Sequence, residues 1–531
     1  MRTNTHDSIP VPNYESKRNC SGLRARFASD LCELESRTDD LNQRVWFTAP
    51  SVVLAQQQYF FLSSQLSAHQ FKLLTGMDNV DFWSTQEVWD AVLCNIDVVV
   101  STPQVLLDAL THGFVNLQNL SLLVFDEAHH CVAAHPFNQV MQTFYHSLPQ
   151  SGPRPHILGL SASPITNDKS AALETLERNM DAVCRAPVLQ LQDYQKFVHI
   201  PALEKISFNP NPHGHSRLMT ELEAQVNGIS ADQDPLVQKL RDTGRPGAQA
   251  KAATMLRTNT SPAIKQLRSL LRVSEWLHED LGSWAADAFV IACLEKLHED
   301  VRQGENWVST MVPDEKIFMD NALQPVRDLA RSGSLGLPEG TNISPKVHVL
   351  IRYLLQGYQP NLMSIIFVKM RATAWALTAL LTAHPATRRF GTFSFVGAPN
   401  RARQGLADLA NLHVQDDAFA DFRRGTRETC VATAVMEEGV DIPALNLVIR
   451  FDGPANFRSF IQSRGRARQP GSTFVMMHVA GDPAAESKKW EALEQEMKEQ
   501  YMEDQRLFAE REAVESQDEA CDRFFRVEST G

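Results

Sequence analysis

Asp126 and Glu127 stand side by side at the end of an apolar run, Leu123-Val-Phe-Asp126-Glu127-Ala128-His129-His130. Such a run reads as a buried parallel strand, and carboxylates delivered to its C-terminal tip give hard oxygen donors for Mg²⁺ and a base that can orient water. Two acids after a strand are also what a solvated turn looks like, so the rest of the chain has to decide. Farther on, Gln462-Ser-Arg464-Gly465-Arg466-Ala-Arg468 sets three arginines close together, a pattern suited to phosphate charge and equally to a solvated basic patch. His129, His130 and Cys131 adjoin the acids, but no fourth ligand is suitably spaced to complete a metal site with them.

A chain of 531 residues is expected to form about three domains, since single cores stop growing well below that size. Hydrophobic residues at 43% and charged residues at 21% are ordinary for a globular protein. No apolar run approaches the roughly 18 residues of a membrane span, and the first residues lack a signal-peptide core. The expectation is a soluble intracellular protein without a membrane partner, cytoplasmic with the nucleus also open. Eight scattered cysteines contain no Cys-x-x-Cys, which argues against both a zinc site and a disulfide framework. The net charge of −12 does not exclude nucleic acid, because local grooves and backbone amides meet phosphates.

These chemical residues need elements to hold them. Apolar runs at 44–48, 98–100, 122–125 and 157–160 read as strands, with a helix over 51–66, giving an open parallel α/β sheet. From about 167 to 341 long amphipathic stretches, 261–281 and 284–301 among them, predict a mostly helical insertion. Inside it, residues 213–249 are rich in Gly, Pro, Asp and Gln and predict a mobile loop. The α/β pattern returns with strands at 364–368, 429–433, 445–451 and 473–478 and a helix over 371–382. Trp490, Leu493, Met497 and Tyr501 are spaced for one long amphipathic tail helix.

At the strand ends the chain reads, in order, Thr48-Ala-Pro50-Ser51, Ser101-Thr102-Pro103, Asp126-Glu127-Ala128-His129, Ser161-Ala162-Ser163, Thr433-Ala-Val-Met-Glu437-Glu438-Gly439-Val-Asp441 and Gln462 to Arg468. This series resembles the motifs of superfamily 2 helicases, in the DEAH-box form. The helical insertion and the Gln-Ser-Arg-Gly-Arg-Ala-Arg spacing resemble the helicase module of Dicer proteins and related viral-RNA receptors, and Val45-Trp-Phe-Thr-Ala-Pro with Leu54-Ala-Gln-Gln57 looks most like the fungal Dicer-like proteins. The resemblance implies two RecA-like parallel-sheet motor domains at 41–166 and 342–480, a helical insertion domain at 167–341, a helical tail at 481–531 and an atypical segment at 1–40. It implies ATP and Mg²⁺ as cofactors and double-stranded RNA as partner, in RNA silencing and antiviral defence, with silencing-pathway proteins as further partners.

The same resemblance assigns roles. Asp126 holds Mg²⁺, Glu127 orients or deprotonates water, and His129, Gly439 and Asp441 line the nucleotide site. Arg466 and Arg468 act as arginine fingers from the second motor domain, facing Asp126 and Glu127 across a cleft, with Gln462 on the far wall. Ser161 and Ser163, which alone read as turn residues, couple the nucleotide site to RNA, while Pro50, Ser51, Thr102, Pro103 and Thr433 meet the RNA backbone. One departure weighs against turnover: the chain contains no Gly-Lys dipeptide, so it lacks Gly-x-x-x-x-Gly-Lys-Ser/Thr, and Asn19-Cys-Ser-Gly22-Leu-Arg24-Ala25 stands where that loop is expected. The chain reads as a helicase portion alone, without the ribonuclease domains of a Dicer, either truncated or a stand-alone relative. An RNA-binding module that does not hydrolyse ATP is the main alternative, and a DNA-repair helicase the lesser one, since such enzymes usually carry Gly-Arg-Thr-Gly-Arg.

Overall fold

The computed structural model describes most of residues 44–482, leaving out 79–82, 150–151, 162–169, 185–198, 305–310, 358, 360–361, 398–404, 412–415 and 438–441, and it describes single positions from Trp490 to Arg506. The chain divides into two compact units: one runs to Val198 and also takes residues 456–458 and 491–531, and the other comprises His199–Ala455 and Ser459–Trp490.

The first unit carries a parallel sheet in the order β2-β3-β1-β4-β5, formed by Arg44–Thr48 (β1), Phe71–Leu74 (β2), Val98–Ser101 (β3), Leu120–Asp126 (β4) and His156–Leu160 (β5). Alternation along the strands sends Trp46, Val99, Leu123 and Phe125 into one core and Val45, Phe47, Val100 and Val124 into another. Burial on both faces is why the central strands read as continuous apolar runs. Their polar atoms are satisfied locally: the Trp46 indole donates to Ser101 Oγ at 2.8 Å and Thr48 Oγ1 donates to the Val124 carbonyl at 2.8 Å. The helix Val52–Gln65 follows β1, with Ser51 Oγ capping the Leu54 amide at 3.3 Å.

The second unit carries a six-stranded parallel sheet in the order β6-β11-β10-β7-β9-β8. Its strands are Ala202–Phe208 (β6), Ser364–Phe367 (β7), Phe393–Phe395 (β8), Thr429–Ala432 (β9), Leu447–Arg450 (β10) and Thr473–Val479 (β11). The strand β6 lies within the stretch expected to be helical. It sits at the sheet edge, where its side chains stay exposed or half-buried, so Ala-Leu-Glu-Lys-Ile-Ser-Phe never forms the apolar run of a central strand. The expected loop at 213–249 is also corrected: it contains the helices Arg217–Gly228 and Pro235–Asp242 and the start of Pro246–Thr258. Pro235 and Pro246 begin helices, and Asp234 Oδ1 caps the Leu236 amide at 2.8 Å, so residues that look like breakers act as start signals.

The helices Pro262–Leu281 and Ser283–Gln303 meet at Gly282, whose φ of 103° and lack of a Cβ let residues 342–344 pass against the joint. A Cβ there would lie 2.6 Å from the Asn342 carbonyl. These helices do not keep a separate core. Leu267, Leu277, Phe289 and Leu294 belong to one apolar cluster with Leu350, Leu377, Ile366, Ile449 and Val475 of the second α/β body. A buried cation reinforces the junction: Lys346 Nζ lies 2.6 Å from Asp280 and 2.9 Å from Asp452, and 3.8 Å from the Phe451 ring centroid. Burial pushes the Asp280 carboxyl up to about 6, against the opposing pull of Lys346. In the tail, Trp490 stacks on Phe460 at 5.9 Å, while Met497 and Tyr501 lie outside the described residues. Among the described residues no helix is long and apolar enough to cross a membrane.

Candidate functional site

In the first unit the strand ends are level: Thr48 lies opposite Ser101 on one side and Phe125 on the other, and Asp126 lies opposite Leu160. Pro50 and Ser51, Thr102 and Pro103, Asp126 to His129, and Ser161 therefore emerge along one C-terminal edge of the sheet, where open parallel sheets collect their sites. Asp126 is partly exposed, and its Oδ2 accepts a 2.8 Å hydrogen bond from Gln58 Nε2. Gln58 is a functional candidate that reasoning from the sequence missed. Its signal was a polar residue among Leu54, Ala55 and Leu62 on the buried face of its helix.

The next residue turns the chain sharply. Glu127 adopts a left-handed conformation, φ 54° and ψ 49°, and a tight turn follows at Ala128–His130. For a residue with a Cβ this conformation costs roughly 1–2 kcal/mol, held by the surrounding structure. One support is Gly159 on β5, where a Cβ would come within 2.8 Å of Ala128 Cβ and 3.0 Å of Met180 Cε. His129 is buried, with Nδ1 2.9 Å from Ser161 Oγ and 3.3 Å from Glu127 Oε2. One imidazole nitrogen thus stands between the acid and the serine at the end of the neighbouring strand. Ser163 lies outside the described residues.

The other members of this edge differ in what they offer. Ser51 is exposed and Thr102 half-exposed, whereas Pro103 is buried at the first position of the helix Pro103–Thr111. His130 and His135 stack at 5.0 Å, and burial pushes the Cys131 thiol up to about 12. Among the described residues no group of three or more His, Cys, Asp or Glu could hold a metal by itself. Asp126 nonetheless suits Mg²⁺, which takes one or two carboxylates and completes its shell with water and substrate phosphate.

In the second unit Phe367 lies opposite both Ala432 and Arg450, so the ends of β7, β9 and β10 are level as well. Thr433 follows β9, buried, its amide donating to the Phe395 carbonyl at 3.3 Å. The helix Phe457–Arg464 leads to Gly465 and then to Arg466, which is only 6% exposed. Its Nη2 and Nε donate to the Glu437 carbonyl at 2.9 and 3.2 Å. The Glu437 carboxylate in turn pairs with the buried Arg450. Gln462 is half-exposed, and Arg468 is exposed with its Nε donating to the Gly465 carbonyl at 3.0 Å. Of the residues expected to line the nucleotide site here, Gly439 and Asp441 lie outside the described residues. Arg450 was missed, although a charge inside the apolar strand Leu-Val-Ile-Arg was its visible signal.

Two parallel α/β sheets with acids at one edge and an arginine segment at another define a class, and family comparison agrees. A DEAD/DEAH box helicase model matches residues 27–171, and a helicase conserved C-terminal domain model matches residues 345–471. The chain thus carries a DEAD/DEAH box helicase domain and a helicase conserved C-terminal domain, and it is similar to the helicase module of the fungal Dicer-like proteins. It is 38% identical over 535 residues to Dicer-like protein 2 of Neosartorya fischeri, covering 98% of this chain and 38% of that protein. With Dicer-like protein 2 of Aspergillus fumigatus the identity is 39% over 524 residues, 96% of this chain and 37% of the relative. With that of Pyricularia oryzae it is 37% over 486 residues, 90% and 32%. The chain thus spans about a third of the length of these relatives.

Proposed function

We propose that the chain is a double-stranded-RNA-binding helicase module of the Dicer-like type, with an ATP site at the β4 tip and slow turnover on its own. The observation that carries this is the cluster of Asp126, Glu127, His129 and Ser161 at one sheet edge, with the Glu127 backbone held in a strained turn. Asp126 would hold Mg²⁺, which when bound neutralises phosphate charge. Glu127 orients or deprotonates the attacking water, and its turn fixes where the carboxylate sits. His129 Nδ1 sits between that carboxylate and Ser161, so a shift at the end of β5 reaches the surroundings of the base through one imidazole. Arg466 and Arg468 supply guanidinium charge to the reaction, as in the family. No Gly-Lys dipeptide is present to cradle the phosphates, which favours RNA binding over rapid hydrolysis in this chain.

Ser51 and Thr102 meet the RNA backbone through hydroxyls and amides and Thr433 through its hydroxyl, with the Pro50 ring beside them, contacts that position the duplex without reading its bases. We propose RNA silencing, with a part in antiviral defence in the cytoplasm, as the setting of this chain. The test is competition binding at several salt concentrations. Duplex RNA should displace a labelled RNA duplex far better than duplex DNA does, and affinity should fall as salt rises. Equal displacement by duplex DNA would reject the reading.

A further inference from the structure

Three ionic side chains, Arg450, Glu437 and Arg466, are buried together at the edge of the second sheet, each no more than 7% exposed. Their connections run in one direction. Arg450, the last residue of β10, is fixed on several sides: Nε donates to the Asp452 carbonyl at 3.3 Å, Nη2 donates to the Gly453 carbonyl at 3.3 Å, and the guanidinium lies 5.4 Å from the Phe367 ring centroid. Asp452 is itself anchored, since its carboxylate accepts from the Lys369 amide at 2.7 Å and from Lys346 Nζ at 2.9 Å. Held this way, Arg450 binds the Glu437 carboxylate, and the carbonyl of that same residue receives both donors from Arg466.

We propose that Arg450 and Glu437 are positioning residues for the arginine segment: the ion pair fixes the Glu437 peptide, and the peptide carbonyl fixes the Arg466 guanidinium. This inference rests on the reading of Arg466 as an arginine that serves ATP. The two roles of Glu437 are separable, because its side chain is held from one direction while its carbonyl acts in another. An ordinary buried ion pair would stabilise the fold without setting the place of a third charge. Here the third charge is oriented by two parallel N–H donors on one oxygen, so displacing that oxygen displaces the guanidinium. Arg468 lies outside the clamp, exposed two residues away, and provides an internal reference.

The test labels the full chain, free of nucleotide, with phenylglyoxal and reads each arginine by mass spectrometry. In the wild type Arg466 is protected and Arg468 reacts. In Glu437→Leu/Arg450→Leu, which removes both charges without stranding one, Arg466 labelling should rise about tenfold through local opening while the buried Arg327 stays protected. Glu437→Gln, which keeps the carbonyl and weakens the tether, should give a smaller rise at Arg466 alone. Arg466 still protected in the folded double variant overturns the proposal. If that variant does not fold, as labelling of Arg327 would reveal, Glu437→Gln decides: unchanged protection of Arg466 overturns the proposal and a selective rise supports it. A parallel arm measures the affinity of a fluorescent ATP analogue with duplex RNA present, where Arg466→Ala should bind about tenfold more weakly. Unchanged affinity overturns the nucleotide role of Arg466, and with it the functional meaning of the clamp, while the labelling still reports the clamp itself.

Discussion

At the tip of β4 the charged groups are placed by the residues that carry them, whereas around Arg466 they are placed by partners far apart in the chain. Asp126, Glu127 and His129 are neighbours in sequence, and one left-handed residue sets the turn that separates their side chains. Arg466 depends on Glu437 and Arg450, contributed by a loop after β9 and by β10. The acids are partly exposed, while the arginine and its two partners are buried. A site built from adjacent residues stores its cost as backbone strain, and one built from distant residues stores it as desolvated charge.

That difference can be broken most forcefully at Glu437. Glu437→Leu alone leaves the Arg450 guanidinium buried without its carboxylate, and about 3–5 kcal/mol of stability should be lost. Glu437→Leu/Arg450→Leu should instead unfold close to the wild-type midpoint. Chemical denaturation of the three proteins measures both, and equal losses for the single and double variants would mean that the loss does not come from stranding the Arg450 charge.

The next effect belongs to the acid site. Gly159→Ala forces a Cβ against Ala128 and Met180, with an expected loss of about 1–3 kcal/mol and a displaced turn. Thermal unfolding checks the loss, and amide exchange at residues 127–130 checks the displacement. Smaller still, Glu127→Gly relieves the left-handed strain and should stabilise the first unit by up to about 1 kcal/mol while removing the proposed base. No gain in unfolding midpoint would show that the contact between Glu127 and His129 outweighs the strain.

The same contrast explains what could be read from the sequence. Strands β1, β3 and β4 were visible because burial on both faces makes them apolar throughout, and the Asp-Glu-Ala-His tip was visible because its members adjoin. Edge strands β2 and β6 were not, since Phe-Lys-Leu-Leu and Ala-Leu-Glu-Lys-Ile-Ser-Phe bury only part of their surface. The helices Arg217–Gly228 and Pro235–Asp242 were misread because Asp and Pro cap and start helices as readily as they break them. Gln58 and Arg450 gain meaning only from residues 68 and 13 positions away, Asp126 and Glu437, and no spacing rule reaches that far.

The most direct test of the account is ATP turnover with and without duplex RNA, measured on this chain, on Glu127→Gln and on a version carrying Gly-Ser-Gly-Lys-Thr over residues 20–24. In the proposed function Asp126 and Glu127 act only on a phosphate that other groups hold, and losing one such electrostatic donor costs roughly a hundredfold or more. The chain should turn ATP over no faster than Glu127→Gln, and the graft should restore RNA-stimulated hydrolysis that disappears again when Glu127→Gln is added. RNA-stimulated, Glu127-dependent hydrolysis by the unmodified chain would contradict the account and would mean that another element of this sequence holds the phosphates.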